Sequence, residues 1–77
     1  MRSFLKDLRK ERKLTQVEIS KRMGITQQYY NMIETGERNE RMNLDVAVNI
    51  AKALDMEPFD FITLELEWEQ ERLKEGE

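Results

Sequence analysis

The side chains that usually carry out catalysis and metal binding are missing or scattered in this sequence of 77 residues. It contains no histidine and no cysteine, which removes the usual general base, the usual zinc ligands and any disulfide. Its sixteen acidic residues are spread along the chain, and it has no glycine-rich phosphate-binding loop. We therefore expect a protein that is not an enzyme, with no catalytic residue, no metal site and no cofactor.

The basic residues are concentrated in the first half of the chain. Residues 1–42 contain ten Lys or Arg against six Asp or Glu, a net charge of +4. Residues 43–77 contain three against ten, a net charge of −7. The overall pI near 5.1 taken alone argues against nucleic-acid binding, but binding depends on the local field rather than on the sum. The charge distribution alone is equally consistent with a basic half that binds nucleic acid and with two ordinary solvated surfaces of different charge.

The chain is long enough for one small domain. Apolar residues make up 39% of it, which suffices for a single compact core. No apolar run approaches the roughly 18 residues of a membrane span, and the N-terminal residues lack the apolar stretch of a secretory signal. We expect a cytoplasmic protein that does not contact a membrane.

A capping box marks the beginning of the second predicted helix. Thr15 is followed three residues later by Glu18, so that each side chain satisfies an otherwise unpaired backbone N–H of the first turn. The pattern predicts a helix from Gln16 to about Met23. Gly24 then ends it at a position that favours the left-handed conformation.

A third helix follows after about three residues. Thr26 is its predicted N-cap, the helix covers residues 27–34, and Gly36 ends it. Tyr30 and Ile33 should face the core. Two short helices joined so tightly around a glycine are typical of a helix-turn-helix, whose second helix is exposed. The side chains left outside are Gln27, Gln28, Asn31 and Met32.

Three further helices complete the expected set. Apolar residues three apart predict an amphipathic first helix over residues 3–12. Asn43 is the predicted cap of a fourth helix. Pro58 marks the start of the fifth, because proline is favoured at the first helical position, and Phe59 and Ile62 are expected to close the core. The fourth helix carries a stripe of core candidates: Leu44, Ala47, Ile50, Ala51 and Leu54.

The last residues, 63–77, are acidic and have two possible conformations. Apolar and acidic side chains alternate over residues 64–69 as in a strand, whereas the abundance of Glu, Leu, Gln, Arg and Lys slightly favours a helix. The apolar side chains either make a dimer or partner contact, which we favour, or fold back onto the core of the domain. The contact candidates are Leu64, Leu66, Trp68 and Leu73.

A family resemblance extends over about residues 4–62. The matching segments are Leu14-Thr15-Gln16, Glu18-Ile19, Gly24-Ile25-Thr26-Gln27, Tyr30, Ile33-Glu34, Gly36, Arg38, Leu44, Ala47 and Ile50-Ala51-Lys52-Ala53-Leu54. They resemble the Cro/C1-type (XRE-like) helix-turn-helix family. The resemblance implies an all-α fold of five helices like that of the lambdoid phage repressors, with helices 2 and 3 as the helix-turn-helix. The implied domain covers residues 1–62, and residues 63–77 form an acidic C-terminal extension outside the pattern.

The resemblance also implies roles for individual residues. Arg9 and Glu34 correspond to an ion pair that holds the recognition helix in some members. The positions expected to contact DNA bases are Gln27, Gln28, Asn31 and Met32. Gln16 corresponds to a phosphate-contacting glutamine of the family. The other positions expected to contact phosphates, from their places on or beside the predicted third helix, are Thr26, Tyr29, Arg38, Asn39 and Arg41. Tyr29 could instead contact a thymine methyl group or cover apolar surface, and Arg38, Asn39 and Arg41 could instead belong to a solvated loop. Glutamine suits adenine, since one amide can donate to N7 and accept from the N6 amino group.

Three features depart from the family pattern. Ser20 stands where alanine is usual, and Met32 stands where a polar base-contacting residue is common. The connection over residues 39–43 is longer than in many relatives and lacks the common proline.

The resemblance implies a sequence-specific DNA-binding transcriptional regulator, a repressor that binds double-stranded operator DNA as a homodimer. The alternative is an antitoxin-type interaction module whose acidic C-terminal segment binds a basic protein partner. In the first hypothesis the acidic segment points away from the DNA.

Overall fold

A computed structural model describes residues 1–37 and 42–75 of the chain. Within these residues it contains five helices and no strand: α1 (Ser3–Glu11), α2 (Gln16–Met23), α3 (Gln27–Thr35), α4 (Leu44–Ala53) and α5 (Pro58–Glu75). The expected all-α, five-helix fold is therefore confirmed. Of the predicted phosphate-contacting residues, Arg38, Asn39 and Arg41 lie outside the described residues. No described helix has both the length and the apolar character needed to cross a membrane.

The boundaries of α2 and α3 are set by hydrogen bonds between near neighbours in the sequence. The Glu18 backbone N–H donates to the Thr15 hydroxyl oxygen and the Thr15 N–H donates to the Glu18 carboxylate, both at 3.1 Å. The predicted capping box is thus confirmed. Gly24 ends α2 at φ 74° and Gly36 ends α3 at φ 88°, in the left-handed region that favours glycine.

The core lies where all five helices meet. Its buried apolar residues are Leu5, Leu14, Ile19, Met23, Tyr30, Ile33, Ala47, Ile50, Ala51, Ala53, Leu54 and Phe61. Tyr30 and Ile33 face inward as predicted, so the opposite face of α3 is left to solvent.

Two side chains that were expected in the core are exposed. Leu44 is 69% exposed and Phe59 is 81% exposed. Each lies in the first turn of its helix, on a side that none of the other four described helices covers. Phe61 follows Phe59 by about 200° around the helix and is fully buried, with its ring centroid 5.8 Å from that of Phe4. The prediction for Leu44 and Phe59 was wrong because helical spacing identifies a face but not the helix that covers it.

The acidic segment continues α5 as one helix through Glu75. The prediction of a helix is confirmed for residues 63–75, and the alternative prediction of a strand is wrong. Side chains within the segment differ in their surroundings: Leu64 and Trp68 are half-buried, whereas Leu66 and Leu73 are 53% and 54% exposed.

Two arginines join the first two helices to the C-terminal end of α4. Arg22 donates from Nη1 to the Ala53 carbonyl oxygen at 3.0 Å, and Arg12 donates from Nε to the carbonyl oxygen of Leu54. The last carbonyl groups of a helix lack partners within the helix and carry its negative dipole end, so both bonds are favourable.

Candidate nucleic-acid interface

The first turns of α3 present amide groups to solvent. Gln27, Gln28 and Asn31 are exposed, and Met32 is half-buried. Thr26 caps the helix, with its hydroxyl oxygen accepting from the Tyr29 N–H at 3.1 Å. Because α3 is anchored on its other side by buried residues, these amides stand on a rigid helix rather than on a loop.

Side chains at the start of α2 and in the middle of α3 meet across the turn. Gln16 donates from Nε2 to the Asn31 side-chain oxygen at 3.0 Å, and the same nitrogen lies 3.4 Å from a Glu34 carboxylate oxygen. The structure therefore brings together Gln16, a predicted phosphate-contacting residue, and Asn31, a predicted base-contacting residue. Their hydrogen bond ties the two helices of the helix-turn-helix to each other.

Behind this face, Arg9 and Glu34 form a buried ion pair. Arg9 Nε lies 3.0 Å from Glu34 Oε2 and Nη2 lies 3.2 Å from Oε1, a two-point contact between planar groups. Arg9 Nη1 also donates to the Leu14 carbonyl oxygen at 2.9 Å. A single guanidinium thus joins α1, the connection to α2, and α3.

The pair perturbs the ionisable groups around it. Burial by itself raises the pKa of Glu34, but hydrogen bonds led by the one from Arg9, together with the Arg9 charge, hold that pKa below its usual value. The hydrogen bond to Glu34 raises the pKa of Arg9. Burial raises the pKa of Tyr30 far above its usual value, and the neighbouring Glu34 carboxylate adds to the rise. At neutral pH the site therefore holds one paired cation and anion beside a neutral phenol.

Glu34 should make the stability depend on pH. Its pKa is lower in the folded than in the unfolded protein, so the ionised carboxylate stabilises the fold above the unfolded-state value of about 4.3. That contribution is lost as the pH falls through the lower folded-state value. We expect the difference in free energy of unfolding between wild type and Glu34→Gln to be largest near neutral pH and to shrink below about pH 4.3.

Urea unfolding of both proteins, at neutral pH and at two acidic values, measures this difference. Because all other carboxyl groups titrate in both proteins, their contributions cancel in the comparison. A difference that stays constant over the whole range would show that Glu34 does not have a lowered pKa in the fold.

Sequence reasoning missed Arg2, which is fully buried. Its guanidinium forms a two-point contact with Glu65 of α5, at 2.8 and 3.0 Å, and donates to the Ile33 carbonyl oxygen of α3 at 2.6 Å. A basic residue before the first helix and a glutamate in an acidic segment both look like solvated groups. Since the partners are 63 positions apart, nothing local in the sequence signals the contact.

The basic residues that the structure describes in the first half differ in what they contact. The arginines of the described part bond within the domain: Arg2, Arg9, Arg12 and Arg22 each contact a carboxylate or a helix-terminal carbonyl. Of these four arginines Arg22 is exposed, as are the lysines Lys10, Lys13 and Lys21. Many of the basic residues noted in the sequence therefore stabilise the fold through bonds within the domain.

These features define a class of protein. In this helical domain, α2 and α3 are joined by a tight turn at a glycine, and α3 exposes a polar face. This is the architecture of a DNA-binding helix-turn-helix domain. A family model described as helix-turn-helix matches residues 5–62. The chain therefore belongs to the Cro/C1-type helix-turn-helix family, a family of DNA-binding regulators. No curated protein and no solved structure is significantly similar to the chain.

Proposed function

We propose that this protein is a transcriptional repressor that binds a specific operator as a homodimer and recognises bases through the start of α3. The observation that carries this proposal is the pair of exposed amides, Gln27 and Gln28, on a helix that is fixed from behind by Tyr30, Ile33 and the Arg9–Glu34 pair. Each amide offers an NH2 donor group beside a carbonyl acceptor, which matches the major-groove edge of adenine.

Other polar residues near α3 in the fold or in the sequence suit the DNA backbone. Gln16 and Tyr29 flank the two glutamines, and Thr26 lies at the N-terminus of α3, where backbone N–H groups attract phosphate. Arg38, Asn39 and Arg41 complete the proposed phosphate contacts. Such contacts orient the domain on the duplex without distinguishing sequences.

Gln27→Ala should reduce binding to the preferred duplex by about 1–3 kcal/mol, roughly fivefold to 150-fold, because one two-point base contact is lost. The duplex is first obtained by selecting bound sites from a random pool with the full chain. Affinities for this duplex and for an unrelated duplex are then measured by fluorescence anisotropy at several salt concentrations.

Gln70→Ala is the matched control, since Gln70 is an exposed glutamine on α5. The salt dependence should be the same for wild type and Gln27→Ala, because an amide neutralises no phosphate. Equal losses of affinity on the selected and unrelated duplexes would rule out base contact by Gln27.

The proposed dimer contact lies along α5. Its exposed large apolar residues, Phe59, Leu66 and Leu73, recur every seven positions and so lie on one face of the helix. Asp60 is in the first turn of α5 and Lys74 is in the last. An antiparallel second copy would bring Asp60 of one α5 near Lys74 of the other, and the same stripe would serve both subunits in a two-fold contact.

Leu66→Glu should convert the dimer to a monomer, because it places a charge in the centre of the stripe. Leu44→Glu is the control, since Leu44 is an exposed leucine on α4 outside the stripe. Sedimentation equilibrium over a range of protein concentrations distinguishes the two variants. A monomeric wild type, or identical behaviour of both variants, would contradict a dimer through α5.

A further inference from the structure

The first two residues of the chain join α3 to α5. The Arg2 backbone N–H donates to the Glu34 carbonyl oxygen at 2.8 Å, and its Nη1 donates to the Ile33 carbonyl oxygen at 2.6 Å. Both acceptors are in the last turns of α3, a helix with no basic residue in its own last turn. Arg2 therefore supplies from outside the positive charge that favours the C-terminal end of a helix.

The part of α5 beyond residue 62 holds Arg2 in this position. Glu65 receives two hydrogen bonds from the guanidinium, and Trp68 lies beneath it with 4.5 Å between the ring centroid and Arg2 Cζ. The Trp68 indole N–H donates to the Met1 carbonyl oxygen at 2.8 Å. The indole edge also approaches Gly36, where a Cβ would lie 3.8 Å from Trp68 Cη2.

This contact links helices that belong to different packing pairs. The recognition helix α3 packs mainly on α2 and α1, whereas α5 packs on α4. Glu65 and Trp68 both lie outside the family-matched residues 5–62. A contact made by residues outside the family match thus reaches the end of the helix whose beginning carries the proposed base-contacting glutamines.

We propose that Arg2 is a positioning residue for DNA recognition, and that Glu65 and Trp68 set the orientation of α3 through it. The inference rests on the proposed function, because it concerns how the same α3 surface meets the bases. A tilt of α3 about its C-terminal end moves the amides of Gln27 and Gln28 away from the base edges. Contacts to the backbone, which are more tolerant of small shifts, are retained.

The test uses the full-length double variant Arg2→Met/Glu65→Leu, which removes both charges and leaves neither buried alone. Its helical fold is checked by circular dichroism, and its affinities are measured on the selected and unrelated duplexes. We expect about a tenfold loss on the selected duplex, as for one misaligned two-point base contact, and little change on the unrelated one. The salt slope should equal that of wild type, since a buried guanidinium neutralises no phosphate.

Arg72→Met is the matched control, because Arg72 also lies over the Trp68 ring, at 5.2 Å from its centroid. It should bind the selected duplex like wild type. Unchanged affinity of the folded double variant would overturn the inference. So would parallel losses on both duplexes with a smaller salt slope, which would make Arg2 a phosphate contact.

A measurement on wild type keeps the test decisive if the double variant does not fold. Trp68 is the single tryptophan of the chain, so its indole N–H gives one unambiguous resonance in a proton–nitrogen correlation spectrum. Saturation with the selected duplex should shift this resonance, and saturation with the unrelated duplex should not. An unmoved resonance with normal operator binding would overturn the positioning role alone, whereas failure of wild type to select any duplex would overturn the proposed function.

Discussion

Replacing Arg9 with methionine should destabilise the protein by about 3–5 kcal/mol, because the Glu34 carboxylate would remain buried without its partner. Arg9 is 8% exposed and Glu34 is 2% exposed, so both charged groups are largely shielded from water. The variant also loses the hydrogen bond from Arg9 to the Leu14 carbonyl oxygen. Chemical unfolding in urea at neutral pH measures the loss.

The double variant Arg9→Met/Glu34→Leu separates two effects on the free energy of unfolding. One is the loss caused by a buried charge without a partner, and the other is the contribution of the ion pair itself. Removing both charges should restore much of the stability lost in Arg9→Met, because well-packed apolar residues can replace a buried ion pair at little cost. Lys10→Met is the control for loss of a cation from the last turn of α1, and since Lys10 is exposed it should change stability by no more than about 0.5 kcal/mol. If Arg9→Met were as stable as Lys10→Met, the ion pair would not contribute to holding α3.

Replacing Phe61 with alanine should cost about 3–5 kcal/mol, the range for removal of a large buried aromatic side chain. Phe61 is fully buried, and its ring packs on that of Phe4 at the junction of α1 and α5. A smaller side chain would leave a cavity there that the surrounding helices fill only in part. Thermal and urea unfolding both report the change.

The same substitution at Phe59 is the internal control. Phe59 is 81% exposed, and alanine has the higher helix propensity, so Phe59→Ala should change the stability of a monomer by no more than about 0.5 kcal/mol. An effect of Phe59→Ala that appears only at high protein concentration would come from the proposed dimer stripe. Equal destabilisation by both substitutions at low concentration would contradict the assignment of Phe61, rather than Phe59, to the core.

Much of the helix-turn-helix could be predicted because its signals act over short distances. Thr15 and Glu18 bond to each other's backbone, Gly24 ends the helix that they begin, and Thr26 starts the next one. The amphipathic spacing of Tyr30 and Ile33 then decides which face of α3 is buried. These preferences are properties of a few consecutive residues, so they operate whatever the rest of the fold does.

The individual environments along α5 could not be predicted in the same way. Helical spacing predicted Phe59 as a core residue and was silent on Arg2, although one is exposed and the other is fully buried. Both outcomes depend on where α1, α3 and α5 come to lie relative to one another. The helical periodicity of a segment is the same whether or not a neighbour covers a given face.

From its amino-acid order alone, this chain specifies an all-helical domain with a glycine-kinked helix pair and outward-facing amides, since caps, glycines and apolar spacing are local determinants. The packing of the helices decides which charges are buried and which phenylalanine enters the core. It also decides that an arginine at position 2 pairs with a glutamate at position 65. Such pairings join residues that are distant in sequence, and their energies exist only once the helices are brought together.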